Sequence, residues 1–155
     1  MTSDNIDELD RQILQALVED ARKHFTEIAE DLGVSTGTVH LRFDKLKKAG
    51  IISRTKAVIN YEALGFMVCA FVGINLHNAS DYVKVQAKLK QFDRILEAYY
   101  TTGEYNIFTR ILAKSNADLY SFLLELQKIK EIGGTETIMV LDNPINRDFG
   151  EFAVE

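Results

Sequence analysis

Read from the N-terminus, the apolar positions form three short helical patterns and then change period. Leu9, Ile13, Leu14 and Leu17 share one helical face, with Asp7 placed to cap it and acids in its first turn. Ile28, Ala29 and Leu32 mark a second, shorter helix, which Gly33 ends. Ser35 is placed to cap a third helix, on which Val39, Phe43 and Leu46 turn inward and which stops near Gly50. A short helix, a tight turn containing glycine and a serine-capped helix are the parts of a helix-turn-helix unit. Residues 51–60, IISRTKAVIN, read as extended structure, a wing or a linking strand.

Beyond residue 60 the spacing alternates between strand and helix. Residues 67–76 are an apolar, β-rich run. Residues 80–92 carry Tyr82, Val85, Leu89 and Phe92 on one helical face, with Ser80 as a candidate cap. Residues 94–101 and 105–112 read as paired strands. Ser115 to Asp118 resembles a capping box, with Asp in place of Glu, ahead of Leu119, Phe122, Leu123, Leu126 and Ile129. Gly133 and Gly134 break that helix, and residues 135–141 form the last strand. The order βαββαβ predicts a four-stranded antiparallel sheet with two helices on one face, the ferredoxin-like arrangement. The expected fold class is therefore α+β: a winged helix-turn-helix domain over residues 1–60, linker included, and a ferredoxin-like domain over 61–155. Either Glu97, Tyr99, Arg110 and Glu136 or Tyr100, Ile107, Ile111 and Ile138 face away from the helices, and spacing leaves both open.

Composition narrows the class. The 155 residues are 46% apolar and 26% charged, enough for a core in one or two domains. No apolar run approaches the ~18 residues of a membrane span, and the acidic N-terminus lacks the features of a secretory leader. One cysteine, Cys69, makes neither a disulfide framework nor a metal-binding pair, and His24, His40 and His77 are scattered. A reducing cytoplasm and no metal or cofactor are expected.

The net charge of −5 argues against nucleic acid only as an average. Residues 1–32 hold three bases against nine acids, whereas residues 33–60 hold six bases against Asp44 alone. That local basic block coincides with the third helix and the segment after it. A solvated helix face is the plain reading of such a run. The distribution of side chains favours DNA. Ser35, Thr36, Gly37, Thr38, His40 and Leu41 put small and hydrogen-bonding groups near the N-terminal end, suited to base edges in a major groove. Arg42, Lys45, Arg54 and Lys56 follow, where phosphates run.

Between the two paired strands lies an over-long polar turn, Thr101-Thr102-Gly103-Glu104-Tyr105-Asn106, where about two residues suffice to reverse a hairpin. Gly103 allows a positive φ and close approach of a ligand to its backbone. The neighbouring hydroxyls and amide supply donors and acceptors, as a free amino acid requires. A plain long hairpin explains the same residues. No nucleophile–base pair or carboxylate dyad emerges in the second domain, so no enzyme is expected.

The stretches IDELDRQILQALVEDAR, EIAEDLGVSTGTVHLRFDKLKKAGII, EAYYTTGEYNIF and TETIMVLDNPI resemble, in order and spacing, the Lrp/AsnC family of bacterial and archaeal regulators. The resemblance implies a transcriptional regulator that binds double-stranded operator DNA and senses a free amino acid, with asparagine the expected effector. It also implies homodimers paired through their sheets, assembling to octamers. It places the effector at Tyr100, Thr101, Thr102, Gly103, Glu104, Tyr105 and Asn106, with Thr135, Glu136 and Thr137 of a neighbouring subunit. Relatives often carry Asp where this chain has Asn106, an amide that holds an ammonium less strongly and is able to read a side-chain amide. The alternative is an amino-acid-binding interaction module whose winged helix contacts protein and not DNA.

Overall fold

A computed structural model describes residues 6–146, which divide into two units, one reaching Val58 and the other running Ile59–Asn143. The first unit holds α1 (Glu8–Glu19), α2 (Phe25–Leu32) and α3 (Thr36–Lys48). Three of the termini are set by the residues the spacing suggested, Asp7, Gly33 and Ser35. Asp7 accepts from the Asp10 N–H while the Asp10 carboxylate accepts from the Asp7 N–H, a reciprocal capping box. Gly33 closes α2 in the left-handed region (φ 65°), and Ser35 accepts from the Thr38 N–H. Ile13, Ile28, Ala29 and Val39 are buried together under Leu9, Leu17, Phe25 and Leu32. Full burial of each large aliphatic side chain is worth about 1.5–3 kcal/mol, the main force pinning three helices too short to stand alone. Residues 51–60 form no strand, because nothing among the described residues lies alongside to complete a ladder.

The second unit runs β1 (Val68–Leu76), α4 (Tyr82–Leu89), β2 (Ile95–Tyr100), β3 (Ile107–Ala113), α5 (Asn116–Leu126) and β4 (Ile132–Met139). The strands pair antiparallel in the order β2-β3-β1-β4, so β2 and β4 are the edges of a ferredoxin-like sheet. A 3₁₀ turn at Ala79–Asp81 precedes α4, so Ser80 lies inside that turn and does not cap the helix. Ser115 does cap α5 through the Asp118 N–H, while Asp118 reaches back to the Lys114 N–H, one residue beyond the expected box. Gly133 and Gly134 lie inside β4 and do not end α5, which has already stopped. Gly133 is the extra, unpaired residue of β4, since Asn75 pairs with Gly134 and Leu76 with Ile132, and an edge strand accommodates such a bulge.

Register decides the two faces, because directly paired residues point the same way. Ala70, Val72 and Ile74 of β1 and Ile107, Ile111 and Ala113 of β3 meet Val85, Leu89, Leu119, Phe122 and Leu126 of the helices. Tyr100, opposite Ile107, belongs with them. Ile138 does not. It sits opposite Phe71 and shares its parity with Glu136, so it lies on the helix-free face with Glu97, Tyr99 and Arg110. That face is mixed: Phe71 stacks on Phe108 at 5.4 Å beside the Arg110–Glu97 pair at 4.0 Å.

Candidate functional site

Helix α3 presents its N-terminal end to solvent. His40 and Gly37 are exposed and Leu41 is 70% exposed. Thr38 is partly engaged, since its hydroxyl lies 2.8 Å from that of Ser35. His40 packs edge-on against Phe25 at 4.6 Å, which restricts its ring. With Thr36, Lys23 and Thr26 it borders an open hollow of about 380 Å³ between the starts of α2 and α3.

Arg42 and Lys45 face elsewhere than into the open. Asp10 is 0% exposed, and Lys45 Nζ donates to its Oδ2 at 2.7 Å while Arg42 Nη1 lies 3.4 Å from both oxygens. Arg42 also pairs with Asp7. The Asp10 N–H holds the Asp7 carboxyl below its ordinary range, against the opposing effect of burial and with help from Arg42. The Asp7 hydrogen bond in turn raises Arg42 above its usual value. These two bases join α3 to α1. By contrast Lys47, Lys48, Arg54 and Lys56 are exposed and make no ion pair among the described residues, although Lys47 lies over the Phe43 ring at 5.5 Å. In the sequence, Asp10 falls on the apolar stripe of Ile13, Leu14 and Leu17. A carboxylate on such a stripe signals a buried charge with a partner.

The polar turn is ordered by its own side chains. The Thr101 N–H donates to the Asn106 carbonyl (3.1 Å), and the Thr101 hydroxyl donates to the Tyr105 carbonyl (2.7 Å). Gly103 has φ 115°, open only to glycine at low cost. The N–H groups of Thr102, Gly103, Glu104 and Tyr105 have no hydrogen-bond partner among the described residues, so the loop offers a run of free donors. Two anchors tie it to the sheet. The Asn106 N–H donates to the Ile74 carbonyl (3.0 Å), and Asn106 Oδ1 accepts from the Leu76 N–H (2.8 Å). The Tyr105 ring covers Gly73, and its hydroxyl donates to Glu136 of β4.

The two groups of expected effector residues therefore meet within one chain, around the end of β1. They divide between faces: Tyr105 and Glu136 lie on the helix-free side, whereas Thr135 and Thr137 pair with Ile74 and Val72 on the other. Glu104 and Thr102 are exposed, and Tyr100 packs against Tyr82 with ring centroids 4.2 Å apart. A cleft of about 320 Å³ between α4 and β2 includes Tyr82, Glu97 and Tyr99, but none of residues 101–106 lines it. Among the described residues no group of three His, Cys, Asp or Glu side chains is placed to hold a metal, and no helix is long and apolar enough to cross a membrane.

The hydrogen bond to Glu136 pushes the Tyr105 phenol up to about 12. A raised phenol pKa favours the native state while the unfolded phenol is still protonated, below about pH 10. That contribution is lost as pH rises from there through the folded value. Phenolate absorbance should show a late component near pH 12 that Tyr105→Phe removes.

Comparison with known proteins places this geometry. The family profile described as the AsnC-type helix-turn-helix domain matches residues 6–47, and that of the Lrp/AsnC ligand binding domain matches residues 69–148. The chain belongs to the Lrp/AsnC family. It is 48% identical over 145 residues to the regulatory protein AsnC of Haemophilus influenzae, covering 93% of this chain and 97% of that one. The structure of E. coli AsnC superposes with a TM-score of 0.89 at 44% identity, covering 94% of this chain and 98% of the other. A feast or famine regulatory protein from M. tuberculosis, complexed with L-methionine, gives a TM-score of 0.83 at 25% identity over 90% of this chain and 95% of that one. Members of the Lrp/AsnC family are transcriptional regulators with a DNA-binding and a ligand-binding domain, and this chain is such a regulator and not an enzyme.

Proposed function

We propose that residues 1–60 bind operator DNA through α3, and that residues 61–155 sense asparagine through the 100–106 loop and carry the assembly surface. The observation that carries the sensing half is the loop itself. Free N–H groups at Thr102, Gly103, Glu104 and Tyr105 suit a carboxylate, and hydroxyls and carbonyls nearby suit an ammonium. The high identity to proteins named AsnC supports asparagine among amino acids. The neighbouring structure with L-methionine supports an amino acid of some kind. Thr135, Glu136 and Thr137 complete the site, from the same chain or from a neighbouring subunit. The mixed helix-free face, with Phe71, Phe108 and Ile138 beside charged pairs, suits a second copy of the sheet, giving a homodimer and, by further assembly, an octamer. A regulator of this kind works in the cytoplasm, where its operator is.

Thr36, Gly37, Thr38, His40 and Leu41 are the proposed base-reading residues. Altering Thr36 or His40 should relax preference at particular base pairs by about 1–3 kcal/mol each. Phosphate contact falls to the bases that are free of ion pairs. Lys48→Ala should lower the slope of log K against log salt by about 0.9, and Arg42→Ala by clearly less, because Arg42 is already neutralised by Asp7 and Asp10. Equal slopes for both variants would return Arg42 to the phosphate-contacting set. A protein-contacting module would show little salt-dependent retention on DNA at all.

Gly103→Val tests the sensor. Valine at φ 115° is strained and adds a side chain beside the free N–H groups. Asparagine should stabilise the parent protein in calorimetry and alter its DNA binding, and the variant should lose both while its affinity for DNA without asparagine stays unchanged. Full stabilisation of the variant by asparagine would move the effector site away from this loop.

A further inference from the structure

The side chain of Asn106 is committed at one end. Its Oδ1 accepts from the Leu76 N–H at 2.8 Å, beyond the last β1–β3 pair at Ile74 and Ile107, where no ladder partner takes that donor. A backbone N–H pairs only with an acceptor, so the amide cannot be turned the other way without setting two donors against each other. The nitrogen is thereby held on the opposite side. Asn106 Nδ2 has no hydrogen-bond partner among the described residues, and it is not sealed in the interior, where the one buried unpaired side-chain atom among them is Arg110 Nε. The main chain of Asn106 is held as well, by the bond from its N–H to the Ile74 carbonyl and by the Thr101 N–H on its own carbonyl. The amide therefore has a fixed anchor and one free, outward donor.

We infer that Asn106 is a polarity filter in the effector site, presenting a neutral N–H donor that selects an sp² acceptor oxygen of the effector and turns its ammonium away. This rests on the proposal that an amino acid binds at the 100–106 loop. The oxygen belongs either to the α-carboxylate or to a side-chain carbonyl, and an amino acid such as asparagine carries both. An aspartate at this position would keep the oxygen that faces Leu76 and replace the outward donor with an anionic acceptor. The anchor would survive and the filter would invert.

The test is Asn106→Asp, titrated by calorimetry with L-asparagine and with L-methionine, next to the parent protein and Asn106→Ala. The melting temperature without ligand should hold in Asn106→Asp and fall in Asn106→Ala, which leaves the Leu76 N–H without its acceptor. L-Asparagine should bind Asn106→Asp about ten-fold or more weakly, since an unpaired or repelled buried acceptor costs at least that factor. Equal weakening of L-methionine assigns the oxygen to the α-carboxylate, and weakening of asparagine alone assigns it to the side chain. Unchanged or tighter asparagine binding by Asn106→Asp overturns the inference. Should Asn106→Asp unfold, the side-chain amide resonance of Asn106 in the parent protein decides: it should shift on adding asparagine, and a stationary signal overturns the inference. If neither amino acid binds the parent protein, the effector reading itself fails and takes this inference with it. If both bind with the loop's resonances unmoved, the site lies elsewhere.

Discussion

Asp10→Ala is expected to unfold the first unit at a markedly lower temperature, although the residue lies outside the proposed DNA-reading face. Its carboxylate is fully buried, takes Lys45 Nζ at 2.7 Å and closes the capping box on the Asp7 N–H. Breaking a fully buried ion pair costs about 3–5 kcal/mol. Here Lys45 and Arg42 keep side-chain exposures of 35% and 28%, so water compensates part of the loss. About 2 kcal/mol is expected, or roughly 10 °C for a unit of this size. Asp10→Asn should recover the cap but not the charge pairing, and should fall between. Both variants leave every base in place and release Lys45 and Arg42 from Asp10, so DNA binding measured well below the melting point should keep at least its full salt slope. A lost slope with an unchanged melting temperature would show that Asp10 organises DNA contacts and does not hold the fold.

Gly73→Ala should disable the proposed effector loop from beneath. A Cβ at residue 73 would lie 2.6 Å from the Tyr105 ring, a separation no side chain sustains. The ring has to swing away, which breaks the Tyr105–Glu136 hydrogen bond and loosens the loop that Tyr105 pins. Overpacking of this kind costs about 1–3 kcal/mol. The response to asparagine should weaken together with the melting temperature. Tyr105→Ala removes the obstacle, so the double variant should be more stable than the sum of the two single effects predicts. Strict additivity would mean that the ring does not rest on Gly73.

Local order was largely legible along the chain. Asp7, Gly33, Ser35 and Ser115 act within four residues of themselves, and each caps its helix as the spacing implies. The βαββαβ order followed from the change of period alone, and Gly103 announced its positive φ. Several assignments failed where a local signal met a longer-range one. Gly133 and Gly134 read as breakers, but at a sheet edge their missing side chains removed nothing that packing needed. Ile138 read as a companion of Ile107 by hydrophobicity, although it shares a face with Glu136 by parity. The proposed effector residues rest on the loop's composition and on family resemblance. Their division between the two faces of the sheet depends on pairings with β1, which lies about thirty positions from the loop and about sixty from β4.

What the chain determines by itself is the helices and strands of the two units, the caps at Asp7, Gly33, Ser35 and Ser115, the turn between β2 and β3 and the family to which they belong. These depend on contacts one helical turn or one strand repeat apart, which a linear pattern records. Only the tertiary structure decided the partners of the charged and polar side chains. Arg42 and Lys45 meet an aspartate 32 and 35 residues away, and Asn106 meets an N–H 30 residues away. Long side chains at such positions have both a solvent-facing and an inward option, with similar spacing in sequence. The choice follows from which buried group would otherwise stay unpaired. Asp10 and the Leu76 N–H are those groups, and their demand for partners turned two basic residues and one amide toward the protein.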